Sequence, residues 1–208
     1  MDLTLCMVVK NEIKNLPEGL GKIRDLLDEV IVVDTGSTDG TQAYLREELG
    51  IEPLQTTMQV STAYSKSPSR NMAIARVRTE WVLSLDADER IAPQVLQFLG
   101  AHQPASEEAG FFGLWRNHVA ETPSFDDYKL FLFRRQYRKR GLVHENVQVD
   151  IRESGHRARW LKELVVDHFP DPGLHRHKTT FYQQRLESAV AMDPLWIRHH
   201  WFLGYMHF

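Results

Sequence analysis

A single cysteine, Cys6, stands in the 208 residues of the chain. No internal disulfide can form, and one thiol inside an apolar run fits a small core residue in a reducing compartment. Long hydrophobic runs are missing as well, since nothing approaches the ~20 apolar residues of a membrane helix. Met1-Asp2-Leu3-Thr4 has no basic region ahead of an apolar stretch, so no signal peptide is read. These absences predict a cytoplasmic protein without a transmembrane segment, and a peripheral position at the inner face of a membrane stays open. Neither sign of charge dominates. A formal net charge of -3 excludes a protein that coats nucleic acid through charge alone, though not a local basic patch. The pattern of a zinc site is absent too. Eight of the ten histidines follow Arg140, but His175-Arg176-His177 and His199-His200 have neither cysteine partners nor the spacing of two ligands on one helix face.

What is present begins with Trp81-Val82-Leu83-Ser84-Leu85-Asp86-Ala87-Asp88-Glu89. A short apolar run that ends abruptly in acids reads as a buried strand. Side chains alternate along a strand, so Asp86 and Asp88 are expected to leave its end pointing the same way. Two converging carboxylates repel unless a cation sits between them, and a hard divalent ion, Mn2+ or Mg2+, completed by phosphate oxygens is the usual solution. The alternative is a solvated turn that caps a helix beginning near Ile91-Ala92-Pro93.

Before this stretch the chain alternates. Leu3 to Val9 is a β-rich run ending in Lys10-Asn11-Glu12. Leu16, Leu20, Ile23, Leu26 and Leu27 recur at helical spacing and predict an amphipathic helix. Val30 to Val33 is a second strand without a polar face, and it ends in Asp34-Thr35-Gly36-Ser37-Thr38-Asp39-Gly40-Thr41. Thr38 or Asp39 can cap a helix from Thr41 to Leu49. This rhythm means parallel strands with right-handed crossovers, and ligands bind outside the carboxyl ends of such strands. Asn11, Glu12, Asp34 and Asp86 are therefore expected along one edge. Leu54 to Val60 reads as a weak strand. Ser69 to Ala75 opens a short helix whose N-terminus, with Arg70, suits a diphosphate.

These motifs, in this order, resemble the nucleotide-sugar-binding half of the family-2 glycosyltransferases with the GT-A fold. The resemblance rests on Leu5-Cys6-Met7-Val8-Val9-Lys10-Asn11-Glu12, the Ile31 to Thr41 segment, Ser69-Arg70-Asn71 and Leu85-Asp86-Ala87-Asp88-Glu89, and it covers about the first ninety residues. It implies an α/β protein with a mostly parallel, Rossmann-like sheet flanked by helices. It also implies an inverting transferase that uses a divalent metal and a nucleoside-diphosphate sugar, a UDP-sugar first. Carried over, Asn11, Glu12, Asp34 and Ser37 hold the nucleotide, Arg70 faces the diphosphate, Asp86 the ribose or metal, and Asp88 binds the metal.

Later motifs extend the resemblance. Phe111 to Arg116 and Lys129 to Arg134 read as strands. Leu132-Phe133-Arg134-Arg135 followed by Gly141-Leu142-Val143-His144-Glu145 is similar to a motif of the branch with lipopolysaccharide-core and peptide glycosyltransferases. There an acidic residue meets the acceptor, which makes Glu145 the candidate general base and His144 its neighbour, with Asp126, Asp127 and Asp150 as substitutes. Val165-Val166-Asp167-His168-Phe169 resembles the strand whose histidine is a further metal ligand. The expected organisation is 1–178 as the GT-A domain, with 1–90 for the donor and 91–178 for the acceptor. Residues 179–208 form a helical tail broken at Asp193-Pro194, packed on the domain or in an oligomer contact. Because the sequence ends at Phe208, no helical array is expected to follow.

The acceptor is read more openly. Six basic residues and no acidic ones lie between Lys129 and Arg140, interleaved with Phe131, Phe133 and Tyr137. They suit an anionic acceptor, a lipid-linked glycan or modified bases of DNA, as well as an ordinary solvated turn. A saccharide or peptide hydroxyl is the other acceptor class. A nucleotidyltransferase would carry a glycine-rich basic loop where this chain has Lys10-Asn11-Glu12. A non-catalytic nucleotide-sugar-binding module would not need Glu145.

Overall fold

The computed structural model describes residues 1–56, 67–118, 125–141, 145–171, 183–192, 200 and 202–204. Its centre is β1 (Leu3–Val9), which pairs in parallel with β2 (Glu29–Asp34) on one side and β4 (Trp81–Ser84) on the other. With neighbours on both edges and cover on both faces, β1 can be apolar at nearly every position. Leu5, Met7 and Val9 enter one core with Leu45, Leu96 and Leu99 from the helices on that side. Cys6, between them in sequence, enters the other core with Ala73, Ile74 and Ile151. Burial pushes the Cys6 thiol up to about 12, so it behaves as a small inert core residue.

The sheet has eight strands in the order β3-β2-β1-β4-β7-β6-β8-β5. The remaining strands are β3 (Leu54–Gln55), β5 (Glu89–Ile91), β6 (Glu108–Asn117), β7 (Phe125–Arg134) and β8 (Arg157–His168). The first four neighbours are parallel, as expected. Beyond β4 the pairing is mixed, with β4–β7, β7–β6 and β5–β8 antiparallel and β6–β8 parallel. The antiparallel β7 carries its early residues, Lys129 among them, past the carboxyl end of β4. The β5–β8 register puts Glu89 opposite His168. Two halves of the chain thus meet at one sheet edge.

Helices α1 (Leu20–Ile23), α2 (Thr41–Glu47), α3 (Ser67–Ile74), α4 (Pro93–Ala101) and α5 (Gln148–Glu153) cover the faces. Pro93 opens α4, where its missing N–H costs nothing. The helix expected from Leu16 to Leu27 is a single α turn followed by a 3-10 turn at Arg24–Leu26. Gly19 interrupts it with φ -99 and ψ -97. Gly21 faces Tyr44, whose hydroxyl would stand 2.6 Å from an added Cβ. The strand expected over Leu54 to Val60 contributes two paired residues, and 57–60 lie outside the described residues. Of the tail, 183–192 is helical and buries Arg185, Leu186 and Ala189, while the break at Asp193-Pro194 lies outside the described residues. No helix among the described residues is long and apolar enough to cross a membrane.

One contact between β6 and β8 leaves no room for a side chain. A Cβ on Gly113 would meet Leu164 Cγ and its carbonyl oxygen at 2.5 Å. Gly113→Ala should therefore destabilise the fold by roughly 1–3 kcal/mol through overpacking. Urea unfolding checks this, and an unchanged midpoint would mean the two strands separate freely.

Candidate active site

Two loops are knotted together at the carboxyl ends of β1 and β2. Asn11 adopts φ 57, which its short polar side chain tolerates. Its Oδ1 accepts the Thr38 N–H at 2.8 Å, and its own N–H donates to Ser37 Oγ at 2.8 Å. The Glu12 N–H donates to Thr41 Oγ1, and Glu12 Oε2 accepts Asn15 Nδ2. The N-cap of α2 is Gly40, at φ 94 and without a side-chain cap, in place of the Thr38 or Asp39 expected, and Asp39 one residue earlier accepts the Thr41 N–H. Asp34, fully buried, uses Oδ1 for the N–H groups of Gly36 and Ser37 and for Gln42 Nε2 at 2.9 to 3.0 Å. Its Oδ2 is buried with no hydrogen-bond partner among the described residues. A buried carboxylate oxygen left this way is costly unless a ligand donor fills it.

Beside this lip, charges alternate. Arg70 Nη2 lies 2.7 Å from Asp86 Oδ1. Lys129 Nζ lies 3.3 Å from Asp86 Oδ2 and 2.5 Å from Glu89 Oε1. Glu89 Oε2 accepts the Asp86 N–H, so the buried Glu89 braces the turn after β4. Burial, above all, pushes the Glu89 carboxyl up. Burial works against the Lys129 ammonium as well, but Asp86 and Glu89 outweigh it and hold its pKa above the ordinary value. The Lys129 charge also sits over the Trp115 and Phe131 rings, 5.6 and 5.2 Å from their centroids.

Asp86 and Asp88 do not point the same way, because β4 ends at Ser84 and a turn, closed by Glu89 N–H to Asp86 O, replaces the alternation. Asp88 faces His168, with Oδ2 and Nε2 3.2 Å apart. The other ring nitrogen, Nδ1, lies 2.7 Å from Asn117 Oδ1. Asn117 is oriented by its own Nδ2, which donates to the Trp115 carbonyl. With Nδ1 turned to Asn117, Nε2 is the ring nitrogen that meets the Asp88 carboxylate. An imidazole nitrogen and a carboxylate oxygen this close can share one divalent cation. Two ligands each ~2.1 Å from an octahedral ion and at right angles stand about 3 Å apart, so the pair fits a small divalent ion. Among the described residues no group of three His, Cys, Asp or Glu converges, leaving the other positions of such an ion to waters and ligand oxygens. The His168 ring is fixed further by stacking on Trp115, with centroids 4.5 Å apart.

Glu145 lies just before α5, next to Asn146, which forms an isolated bridge with Arg140. Backbone hydrogen bonds join Arg140 and Asn146 in both directions. Ser67 Oγ donates to the Gly141 carbonyl, and Asn71 holds both the N–H and the carbonyl of Lys139, at 2.8 and 2.9 Å. The start of α3 and the Glu145 loop are thereby laced together, and the Glu145 charge is felt at Arg70 and Lys139. His144 lies outside the described residues. Among the substitute carboxylates, Asp150 is 2.6 Å from Arg140, Asp126 is 3.9 Å from Arg116, and Asp127 accepts its neighbour's N–H.

The basic run is absorbed by the fold rather than laid out as a strip. Arg134 pairs with Glu80 and stacks on Trp81, and Arg135 donates to the Val77 and Arg78 carbonyls. Arg138 donates to the Arg135 and Tyr137 carbonyls, and Arg140 pairs with Asp150 and Glu153. Lys129 is half-buried and Lys139 buried. Sequence reasoning missed Glu89, Lys129 and Asn117 as site residues. Only the antiparallel turn of the sheet beyond β4 reveals that they belong.

The family model described as "Glycosyl transferase family 2" matches residues 4–162. A TPR repeat-containing protein of Synechococcus elongatus is 43% identical over 89 residues, 43% of this chain and 21% of that protein. An uncharacterized glycosyltransferase of Rickettsia felis is 29% identical over 89 residues, 29% of its length. The chain thus spans less than a third of these two relatives. Among solved structures, a mannosyltransferase from Pyrobaculum calidifontis, in complex with GDP-Man and Mn2+, superposes with a TM-score of 0.64 at 21% identity. That match covers 91% of this chain and 64% of the other. TarS of S. aureus, in complex with UDP, gives 0.58 at 15% identity, covering 99% of this chain and 70% of that one. These likenesses establish the fold.

Proposed function

The chain belongs to glycosyl transferase family 2, and from that premise we propose that it is a metal-dependent inverting glycosyltransferase that takes a sugar from a nucleoside-diphosphate sugar, a UDP-sugar first. The observation that carries the reading is the Asp88–His168 pair, whose Oδ2 and Nε2 stand 3.2 Å apart with the ring turned to Asn117. Asn11, Glu12, Asp34 and Ser37 hold the nucleotide, with Asp34 Oδ2 offering a buried acceptor to an N–H on the edge of a base. Asp86, fixed by Arg70 and Lys129, faces the ribose. Arg70 and Lys129 meet the negative charge that grows on the diphosphate as the glycosidic bond breaks. Asp88 and His168 would hold a divalent cation, which when bound supplies further charge stabilisation at the leaving oxygens. Glu145 takes the proton from the acceptor hydroxyl as it attacks the anomeric carbon from the opposite face, so the configuration inverts without a covalent intermediate.

The acceptor proposed is a hydroxyl on a saccharide, a lipid-linked glycan or a peptide. Modified bases of DNA are a weaker choice, because the basic run that would follow a polyanion is engaged within the fold. Residues 1–90 serve the donor, 91–178 serve the acceptor while lending Lys129 and His168 to the donor site, and 179–208 form the tail. Calorimetric titration of UDP and GDP with and without manganese tests the donor site. UDP should bind at least about tenfold more tightly with the metal. Equal affinity in both conditions would remove the metal from the mechanism.

A further inference from the structure

Trp115 lies on the middle strand of the three that bring the metal pair and the diphosphate cations together. β6 pairs with β7 on one side and β8 on the other, with Trp115 opposite Asp127 and Val166. Side chains two residues further along those partner strands return to the face of Trp115, and they are Lys129 and His168. Such diagonal neighbours are within reach of an aromatic ring. Gly113, opposite Lys129 on β6, has no side chain to stand between them. One indole is therefore shared by both. Its ring stacks on His168, with centroids 4.5 Å and planes 24° apart, and the Lys129 ammonium stands 5.6 Å from its centre. The indole Nε1 is buried with no hydrogen-bond partner among the described residues. Packing alone would be served without that cost by a phenyl ring, so the indole's contribution lies in its face, the strongest of the aromatic faces toward a cation.

We propose that Trp115 is a positioning residue for both halves of the donor site, one ring setting His168 for the divalent cation and Lys129 for the diphosphate. The proposal rests on the metal and nucleoside-diphosphate reading of the site. A cation at His168 Nε2 draws electron density out of the imidazole, and the electron-rich indole face holds the depleted ring more firmly than the free one. The same ring attracts the Lys129 ammonium, beside its ion pairs with Asp86 and Glu89. Asn117, by contrast, touches His168 alone of the two. Removing the indole should therefore weaken metal and diphosphate binding together, each measured without the other, whereas removing the Asn117 amide should weaken the metal only.

The test uses manganese alone and UDP alone. Manganese binding, followed by the loss of the free ion's EPR signal, should weaken about tenfold in Trp115→Leu. UDP binding in the presence of EDTA, followed by calorimetry, should weaken about threefold in the same variant. Trp115→Phe keeps a ring to stack and should stay within about threefold of the wild type for manganese. Asn117→Leu should lose manganese affinity and keep that for metal-free UDP. In protein labelled with fluorotryptophan, manganese should broaden the fluorine resonance of Trp115, identified by its loss in Trp115→Phe, ahead of the other tryptophans. Unchanged manganese affinity in Trp115→Leu, or an equal loss in Trp115→Phe, would overturn the role of the indole toward His168. A loss confined to manganese would overturn its role toward Lys129. Should the Leu variant fail to fold, the labelled protein decides, and a Trp115 resonance left sharp by bound manganese overturns the proposal. Failure of the wild type to bind manganese or UDP at all would overturn the donor reading and this proposal with it.

Discussion

Asp88→Asn should fold as the wild type does and lose about 100- to 1,000-fold in transfer rate, the scale of removing one preorganised electrostatic partner of a transition state. The fold is expected to survive because Asp88 lies in a turn, and the contact that orders its backbone is the carbonyl accepting from Phe169 N–H. The side chain itself holds no strand in place. Its facing partner, His168 Nε2, lies 3.2 Å from Oδ2, and an asparagine of the same shape keeps a polar group there. Thermal stability without metal should accordingly change little, while the stabilisation conferred by manganese disappears. Asn117→Leu provides the control for positioning, since it removes the acceptor that fixes the ring. It should raise the manganese concentration for half-maximal activity about 10- to 100-fold, with little change in acceptor KM. Transfer and manganese dependence that persist in Asp88→Asn would mean that the ion, if used, is held elsewhere.

The elements legible in the sequence were those whose environment is uniform along their length. β1, β2 and β4 are covered on both faces, so burial writes itself as an unbroken apolar run, and the parallel edge they form placed Asn11, Asp34 and Asp86 correctly. The helix from Leu16 to Leu27 shows the limit of that signal. Leu16, Leu20, Ile23 and Leu27 are buried, as their spacing required, but Leu26 of the same set is exposed, and Gly19 and the close approach of Tyr44 at Gly21 allow only a short α turn. Periodicity reports burial, and the backbone between the buried positions is a separate question. The approach of Asp88 to His168 spans 80 residues, and the resemblance, not any local pattern, suggested it. Lys129 and Lys139 were hidden in a basic run that looked solvated, because no local feature marks where an antiparallel strand overshoots the end of its neighbour. Asn117 was hidden because its role exists only through the ring it orients.

The second large effect is expected at Glu145, where Glu145→Gln should slow transfer about 100- to 10,000-fold and leave donor binding nearly unchanged. A glutamine keeps the shape and polarity of the side chain, so the loop closed by Arg140 and Asn146 and tied to Ser67 should stay in place. What it loses is the ability to accept the acceptor's proton. The small change in donor affinity has a stated sign. Removing the negative charge felt at Arg70 leaves that guanidinium more available to the diphosphate, so UDP should bind equally well or slightly better. Single-turnover transfer compared with UDP affinity separates the two effects. The same change at Asp126, Asp127 and Asp150 gives the reference: Asp150→Asn should reduce stability, through its contact with Arg140, more than it reduces the chemical step. Near-normal single-turnover rates in Glu145→Gln, with a large loss at one of the others, would move the base to that carboxylate. The acceptor would then approach from the Asp126–Asp127 end of β7 instead of the loop before α5.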